Sequence, residues 1–245
     1  MNRPKTHLVL IPAFNPGRLL AGTVDGALEH WDDVWVVVDA STDGSHDALA
    51  SGRRPGPRVI VRPVNGGKGS AVLTGAREAL AAGFTHALVM DADGQHPPGR
   101  IREFMETSAA APGAVVCGRP VFGPEAPLVR IYGRKLSVGL VRLETSGRGA
   151  ADPLFGFRVY PLGPLIRVME QTRGARRYDF DPEVAVRLAW AGTPAINLDA
   201  ACAYPDRQLG GVSHFRYLRD NLRMIAMHAR LIGDLILGRA GAQAA

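Results

Sequence analysis

The sequence has few features of a secreted or membrane-spanning protein. Only two cysteines, Cys117 and Cys202, occur in 245 residues, and they stand far apart in apolar surroundings. We therefore expect no disulfide, which is typical of a reducing compartment. No window approaches the roughly 20 apolar residues that a membrane-spanning helix requires, and residues 1–6 are too short and polar for a secretory signal. These absences favour a cytoplasmic protein and leave peripheral contact with a membrane open.

Two common nucleotide-binding signatures are also missing. No Gly-x-Gly-x-x-Gly follows the first apolar run, which counts against a nicotinamide dehydrogenase. Lys68 stands in a glycine-rich segment, but Gly69 follows it where a Walker sequence requires Ser or Thr. The basic residues lack interleaved aromatics, so nucleic-acid binding is the least supported role. There is no linker or repeat before an alanine-rich tail after Gly238, and we expect one domain.

The composition is that of a folded, basic protein. Apolar residues make up 46% of the chain and the formal net charge is +6. A chain of this size and composition can bury one substantial core. Its positive charge suits an anionic substrate, a nucleic acid or an acidic membrane surface.

Apolar runs alternate with helical periodicity along the first half. The expected strands lie at residues 7–11, 34–38, 58–61, 86–90 and 115–117, with helices between them, of which the clearest is 69–82. Further strands are expected at 155–160 and 195–198, and further helices at 124–145, 181–191 and 213–237. Strands without polar alternation, separated by helices, indicate a parallel sheet covered on both faces. The predicted fold is an α/β sandwich of the Rossmann type.

Polar clusters follow four of these strands, at 12–15, 39–43, 65–69 and 91–96. Ligands bind beyond the carboxyl ends of the strands in such sheets, so the four clusters indicate one shared site. Asp91 and Asp93 supply carboxylates and Gln95 a neutral oxygen, the ligands that Mg²⁺ and Mn²⁺ prefer. His96 could contact a phosphate. The alternative is an Asx turn that caps the next helix.

Two further strand ends offer contacts to a nucleotide. Asp39 can accept hydrogen bonds from a base or ribose; the alternative is a turn aspartate, a role that suits Asp43 better. Lys68, ahead of a helix, is typical of a phosphate contact.

Taken together, these segments resemble family 2 glycosyltransferases of the GT-A fold, and most closely the dolichyl- or polyprenyl-phosphate mannosyl- and glucosyltransferases. The matching segments, in the family's order, are 11–15, 38–45, 65–69, 91–97, 118–119, 152–160, 180–183 and 211–214. The resemblance covers nearly the whole chain, and the order of these loose motifs makes it specific. Three positions depart from the usual pattern: Pro16 replaces a glutamate, Val38 an aspartate and His214 a lysine.

The resemblance implies roles for particular residues. The nucleoside pocket would be lined by Pro12, Ala13, Asn15 and Asp39. The metal would be held by Asp91, Asp93 and Gln95, and the donor's diphosphate would lie against Ala92 and Lys68. An anionic acceptor or leaving group would face Arg119, Arg130 and Arg134. A loop closing over the donor would carry Arg207, Ser213 and His214.

The resemblance also implies that successive segments of the chain have different functions. Residues 1–118 would bind the nucleotide sugar, 119–212 would face the acceptor, and 213–238 would form a C-terminal amphipathic helix. Its apolar residues and interleaved arginines suit either core packing, the more frequent outcome, or an anionic membrane interface.

The expected reaction is inverting transfer of a hexose from a UDP- or GDP-sugar to a lipid or lipid phosphate, with Mg²⁺ or Mn²⁺ as cofactor. Asp93 would be essential through the metal. A hydroxyl acceptor needs a base, for which Asp181 is the best candidate and Glu183 the second, whereas a phosphate acceptor is already anionic and needs only cations to place it. Asp181 next to Pro182 could equally be a helix N-cap, and the two roles are close to even. The alternatives to a transferase are a degenerate nucleotide-sugar sensor and a sugar-1-phosphate nucleotidyltransferase, although the segment 12–15 lacks the latter's glycine-rich loop.

Overall fold

The computed structural model describes residues 6–50, 56–124, 128–203 and 217–240, with the side chains at 48, 50, 128–132 and 217–218 left aside. Seven strands form one sheet: β1 (His7–Ala13), β2 (Val34–Asp39), β3 (Arg58–Arg62), β4 (His86–Val89), β5 (Val115–Phe122), β6 (Arg158–Pro161) and β7 (Ala195–Cys202). The α-helices are α1 (Leu19–Leu28), α2 (Lys68–Ala81), α3 (Ile101–Ala110), α4 (Leu128–Glu144), α5 (Leu162–Glu170), α6 (Phe180–Trp190) and α7 (Tyr217–Ile236).

The sheet has the strand order β3-β2-β1-β4-β6-β5-β7. All pairings are parallel except those of β6, which runs antiparallel to β4 and to β5. The carboxyl ends of β1, β2 and β4 therefore meet at one edge, and the amino end of β6 reaches the same edge from the opposite direction.

The apolar runs of the central strands are continuous because both faces of the sheet are covered. On one face Val9 and Ile11 pack under α1 and α3, and on the other Leu8 and Leu10 pack under α2, α5 and α6. Gly75 allows α2 to approach the sheet closely, since a Cβ there would lie 2.5 Å from the Leu10 side chain. This packing places the N-terminus of α2 beside the polar strand ends.

The predicted mostly parallel α/β sandwich is confirmed, with seven strands where seven were expected. The antiparallel direction of β6 and the helix α5 were not predicted. The capping alternative for Asp181 is wrong, because α6 begins at Phe180 with Asp179 at the N-cap. In the part of the chain that the structure describes, no helix combines the length and apolar character needed to cross a bilayer.

Candidate active site

The loops after β1 and β2 are joined to each other. Asn15, at a φ of 44°, donates its backbone N–H to Ser41 Oγ, and its side-chain oxygen accepts from the Thr42 N–H at 2.7 Å. Asp43 accepts from the Gly17 and Ser45 N–H groups, the role of a turn aspartate predicted for it. The predicted nucleoside-pocket residues at 12–15 thus lie next to the end of β2.

Asp39, at the end of β2, is 2% exposed and binds the glycine loop that precedes α2. Its carboxylate accepts from the Gly66 N–H at 3.1 Å, from the Gly67 N–H at 2.6 Å, and from Arg62. Asp39 therefore fixes the backbone of residues 66–67, which precede Lys68 and position it at the site. Little of its hydrogen-bonding capacity remains for a ligand.

Lys68 lies at the centre of the strand ends, where it joins two acids that are distant in sequence. Its Nζ is 2.6 Å from Asp91 Oδ1 and 2.6 Å from Asp181 Oδ2. Burial opposes the charge on Lys68, but the two carboxylates outweigh it and raise the pKa of the ammonium group. Lys68 is therefore a fixed cation between the end of β4 and the first turn of α6.

Asp91, Ala92, Asp93 and Gln95 form a turn directly after β4. Asp93 Oδ1 accepts from the Gln95 N–H at 3.0 Å, which is an Asx turn. This bond leaves the second oxygen of Asp93 for a ligand. The alternative in which this turn caps the next helix is wrong, because no side-chain hydrogen bond within the described residues caps the helical segments that begin at Pro98 and Ile101. Burial and then the charge of Asp91 raise the pKa of Asp93 to about 6.

His96 supports this turn from beneath. Its Nδ1 accepts from the Asp91 N–H at 2.9 Å, and its ring packs edge-on against Phe155 with centroids 4.7 Å apart. The side chain is buried, and desolvation lowers its pKa to about 4 against the opposing charge of Asp91. The expectation that His96 contacts a phosphate is wrong, because the ring is enclosed by protein.

Two residues that approach the site at the amino end of β6, Gly156 just before the strand and Arg158 at its start, were not predicted as site residues. A Cβ on Gly156 would lie 2.5 Å from Lys68 Nζ and 3.1 Å from Asp91 Oδ2, so only glycine leaves room for this ion pair. Arg158 is fully buried and donates to the backbone oxygen of Asp181 at 2.8 Å. It also donates to the backbone oxygen of Asp152 at 3.1 Å. The sequence signal was a glycine and an arginine two residues apart beside an apolar strand.

Asp181 and Glu183 differ in their access to the site. Asp181 Oδ2 binds Lys68, while Asp181 Oδ1 is buried and has no hydrogen-bond partner among the described residues. Glu183 is 0% exposed and is engaged by Thr172, Arg187 and other donors on the far side of α6. The second-choice base, Glu183, is therefore wrong, because both of its oxygens already accept hydrogen bonds from protein groups.

The three arginines expected to face an acceptor are not equivalent. Arg134 on α4 forms a two-point ion pair with Asp152, and both side chains are mostly buried. Arg119 lies further out on β5, where it pairs with Asp199 and both side chains are more than half exposed. Arg130 belongs to α4, but its side chain is outside the described part, as are Arg207, Ser213 and His214.

The carboxylates fit a divalent cation in charge and donor type. Three acids, Asp91, Asp93 and Asp181, surround one ammonium group, and the pKa of Asp93 is raised first by burial and then by the charge of Asp91. The described residues contain no cluster of three His, Cys, Asp or Glu ligands that could enclose an ion by themselves. Mg²⁺ commonly uses one or two carboxylates and takes its other ligands from water and substrate phosphates. Asp91 and Asp93 suit that kind of site.

Comparison with known proteins agrees with this arrangement. The sequence model of Glycosyl transferase family 2 matches residues 8–159, which is more than half of the chain. The UDP-N-acetylglucosamine–dolichyl-phosphate N-acetylglucosaminyltransferase of Methanococcus voltae is 25% identical over 74% of this chain and 79% of its own length. The undecaprenyl-phosphate mannosyltransferase of Micrococcus luteus is 26% identical over 83% of this chain and 85% of its own.

Solved structures show the same fold. TarS of S. aureus, residues 1–349, superposes with a TM-score of 0.56 at 16% identity, over 81% of this chain and 60% of TarS. The complex of the same TarS segment with UDP-GlcNAc gives a TM-score of 0.55 at 14% identity, over 85% of this chain and 61% of TarS. The chain belongs to glycosyltransferase family 2 and is a glycosyltransferase of the GT-A fold that resembles the lipid-phosphate sugar transferases.

Proposed function

We propose that this enzyme transfers a hexose, with inversion, from a UDP- or GDP-sugar to a lipid-phosphate or lipid acceptor in a metal-dependent reaction. The observation that carries the proposal is the set of three carboxylates around Lys68 at the carboxyl edge of the sheet. The two relatives support the acceptor class, since one is a dolichyl-phosphate N-acetylglucosaminyltransferase and the other an undecaprenyl-phosphate mannosyltransferase. Residues 1–118 would bind the donor, 119–212 the acceptor, and 213–238 would form the C-terminal helix.

On the donor side, Asp91, Asp93 and Gln95 would hold Mg²⁺ or Mn²⁺. The ion would neutralise charge on the departing nucleoside diphosphate. Lys68 keeps its charge because two acids flank it, and it would stabilise the same leaving group from α2. Pro12, Ala13 and Asn15 would contact the nucleoside, with Asp39 acting chiefly through the glycine loop.

On the acceptor side, Asp181 would take a proton through Oδ1, the oxygen that Lys68 leaves without a partner. A hydroxyl acceptor requires such a base. A phosphate monoester has a second pKa of about 6, so part of a lipid-phosphate acceptor would also carry a proton near neutral pH. Arg134 and Arg130 on α4, and Arg119 on β5, would attract the acceptor's negative charge.

The test is a thermal-shift titration with UDP- and GDP-sugars, with and without Mn²⁺, followed by transfer to a polyprenyl phosphate. Asp93→Ala is expected to abolish both turnover and the metal-dependent part of donor binding. Asp47→Ala is the matched control, since this carboxylate is 79% exposed. Full turnover without a divalent ion, or an unaffected Asp93→Ala variant, would overturn the metal's role. Donor binding without hydrolysis or transfer would indicate a sensor, and pyrophosphate release from a nucleoside triphosphate would indicate a nucleotidyltransferase.

A further inference from the structure

The helix α7 directs its acidic residues and its histidine toward the protein. Asp220 is 3% exposed and His228 is 5% exposed. His228 Nδ1 lies 2.8 Å from Glu144 Oε1 on α4, and Asp234, with a side chain 18% exposed, lies 3.5 Å from Arg187 on α6. Polar groups of this kind normally face water on a surface helix. Here His228 and Asp234 hold α7 on the rest of the domain.

The opposite side of α7 carries an apolar stripe that is exposed. Its residues recur at spacings of three and four, which places them along one side of the helix. Leu222 is 57% exposed, Ile225 64% and Ile236 78%, whereas Met227 and Leu231 on the inner side are 1% and 0% exposed. The full stripe is Leu222, Ile225, Ala229, Ile232 and Ile236, of which Ile232 is partly buried and the others are exposed.

The charge that α7 presents to its surroundings is positive. Arg219 is exposed, and the side chain of Arg223, which lies 3.4 Å from Asp220, is 33% exposed. The side chain of Arg230 is 42% exposed, but its guanidinium is bound to Glu183 at 2.6 Å. Both carboxylates of the helix are turned inward, as described above. Among the described side chains of α7, the apolar stripe therefore has arginines beside it and no exposed acid.

We propose that α7 lies along an anionic lipid bilayer, with the apolar stripe in the headgroup boundary and Arg219 and Arg223 near lipid phosphates. An exposed apolar stripe with basic residues beside it is the pattern of a helix that lies in the plane of a membrane interface. The proposal rests on the proposed function, because a lipid-linked acceptor is met at a membrane surface. Beyond the proposed function, it identifies α7 as the element that contacts the membrane and anionic lipids as the lipids that α7 prefers.

Two further observations favour this occupant. The neighbouring helix α4 also exposes leucines, Leu136 at 72% and Leu143 at 65%, seven residues apart and so on one side of that helix. A second copy of this chain is a poorer partner, since its α7 would bring the same arginines to the contact.

The apolar part of the proposal is tested by sedimentation of the full chain with vesicles of phosphatidylcholine and phosphatidylglycerol. The double variant Ile225→Gln and Ile236→Gln is expected to lower vesicle partitioning about tenfold or more, because it removes two apolar contacts. The matched control is Val61→Gln with Leu80→Gln, positions that are 59% and 45% exposed elsewhere on the domain. It should bind vesicles as the unaltered protein does.

The charge part is tested with Arg219→Gln and Arg223→Gln. Each is expected to weaken binding to the mixed vesicles about fivefold, and binding to pure phosphatidylcholine should be weak throughout. Equal partitioning of the stripe variant and the unaltered protein would overturn the proposal. The proposal would also be overturned if the unaltered protein were a dimer in solution and the stripe variant a monomer, since the stripe would then be a contact between two copies of the chain. Donor binding in vesicle-free buffer is measured in parallel, so that failure of the membrane contact is separate from failure of the transferase function.

Discussion

Two buried ionic clusters lie on opposite sides of α6, and they differ in how completely they are satisfied. The Lys68 cluster consists of Lys68, Asp91, Asp93 and Asp181, and it has three carboxylates for one ammonium group. The Glu183 cluster has one carboxylate, which accepts from Thr172, the Ala175 N–H, Arg187 and Arg230 at 2.6–2.9 Å. Asp181 and Glu183 are two residues apart, so they project from nearly opposite sides of the helix.

The difference separates a structural network from a functional one. A buried acid with every oxygen bonded lowers the free energy of the folded state only while all partners remain. A buried acid with an oxygen left without a partner keeps a cost that a ligand can remove. The Glu183 cluster fastens α6 to α7 and to the 172–175 loop, whereas the Lys68 cluster is arranged for a cation and a substrate.

The largest effect is expected from Asp181→Asn, which keeps the shape of the side chain and removes its charge. Loss of a general base reduces rates by about 10²–10⁴-fold. The free energy of unfolding should change little or rise, because the excess negative charge around Lys68 falls. Initial rates of sugar transfer and urea unfolding curves measure the two quantities. A variant that lost stability and kept its rate would place Asp181 with the structural network.

The complementary change is Glu183→Gln, which should act on stability instead. Removing the charge takes away the nearer of the two acids that Arg187, whose side chain is 3% exposed, is paired with, Glu183 at 2.9 Å and Asp234 at 3.5 Å. Breaking a buried pair in this way costs about 3–5 kcal/mol. The rate per folded molecule, measured well below the melting temperature, should remain close to that of the unaltered enzyme.

Glu78→Gln is the control for this second change. Glu78 pairs with Arg58 on the surface, where both side chains are about half exposed. Such pairs contribute roughly 0–1 kcal/mol, so the unfolding curve should hardly move. If Glu183→Gln lowered the free energy of unfolding as little as Glu78→Gln, the hydrogen bonds of the Glu183 cluster would not stabilise the packing of α6 against α7.

The sequence predicted the sheet and the polar strand ends because both depend on local pattern. Continuous apolar runs identify strands covered on both faces, and the polar residues that follow them meet at one edge. It was also sufficient to select Lys68, Asp91 and Asp181, although their ion pairs span up to 113 residues of chain.

Contacts that depend on three-dimensional packing could not be predicted from the pattern. The direction of β6 depends on its neighbours in the sheet, and with it the approach of Gly156 to Lys68. Asp181 and Glu183 lie on opposite sides of α6, and this could be predicted only if the first residue of the helix were known. For the apolar residues of α7 the sequence left core packing and a membrane interface open, and the structure separates them, since Leu231 is buried and Ile225 is exposed. The side of a helix that faces the domain is decided by its partners, here Glu144 and Arg187.

The buried histidines His7 and His86 form a third polar contact in the core, away from the Lys68 and Glu183 clusters. They test whether a buried polar group affects stability where no ligand binds. Their rings stack with centroids 4.5 Å apart, and His7 Nε2 lies 3.1 Å from Ser108 Oγ. Burial, and then the neighbouring His86, lower the pKa of His7 from 6.5 to about 4. Between these values the unfolded chain binds a proton that the folded protein does not, so stability is complete above pH 6.5 and falls toward pH 4.

The expected loss from His7 is about 2 kcal/mol between pH 8 and pH 5, smaller than that of Glu183→Gln. Urea unfolding at the two pH values measures it. Acidic groups also titrate on the way down, so the informative quantity is the difference from His7→Phe, which keeps an aromatic ring and has no proton to bind. That variant loses the bond to Ser108 and should be less stable at pH 8, but its stability should fall less on acidification. Parallel pH profiles for the two proteins would show that His7 is protonated equally in the folded and unfolded states. Burial of His7 would then make no contribution to the pH dependence of stability.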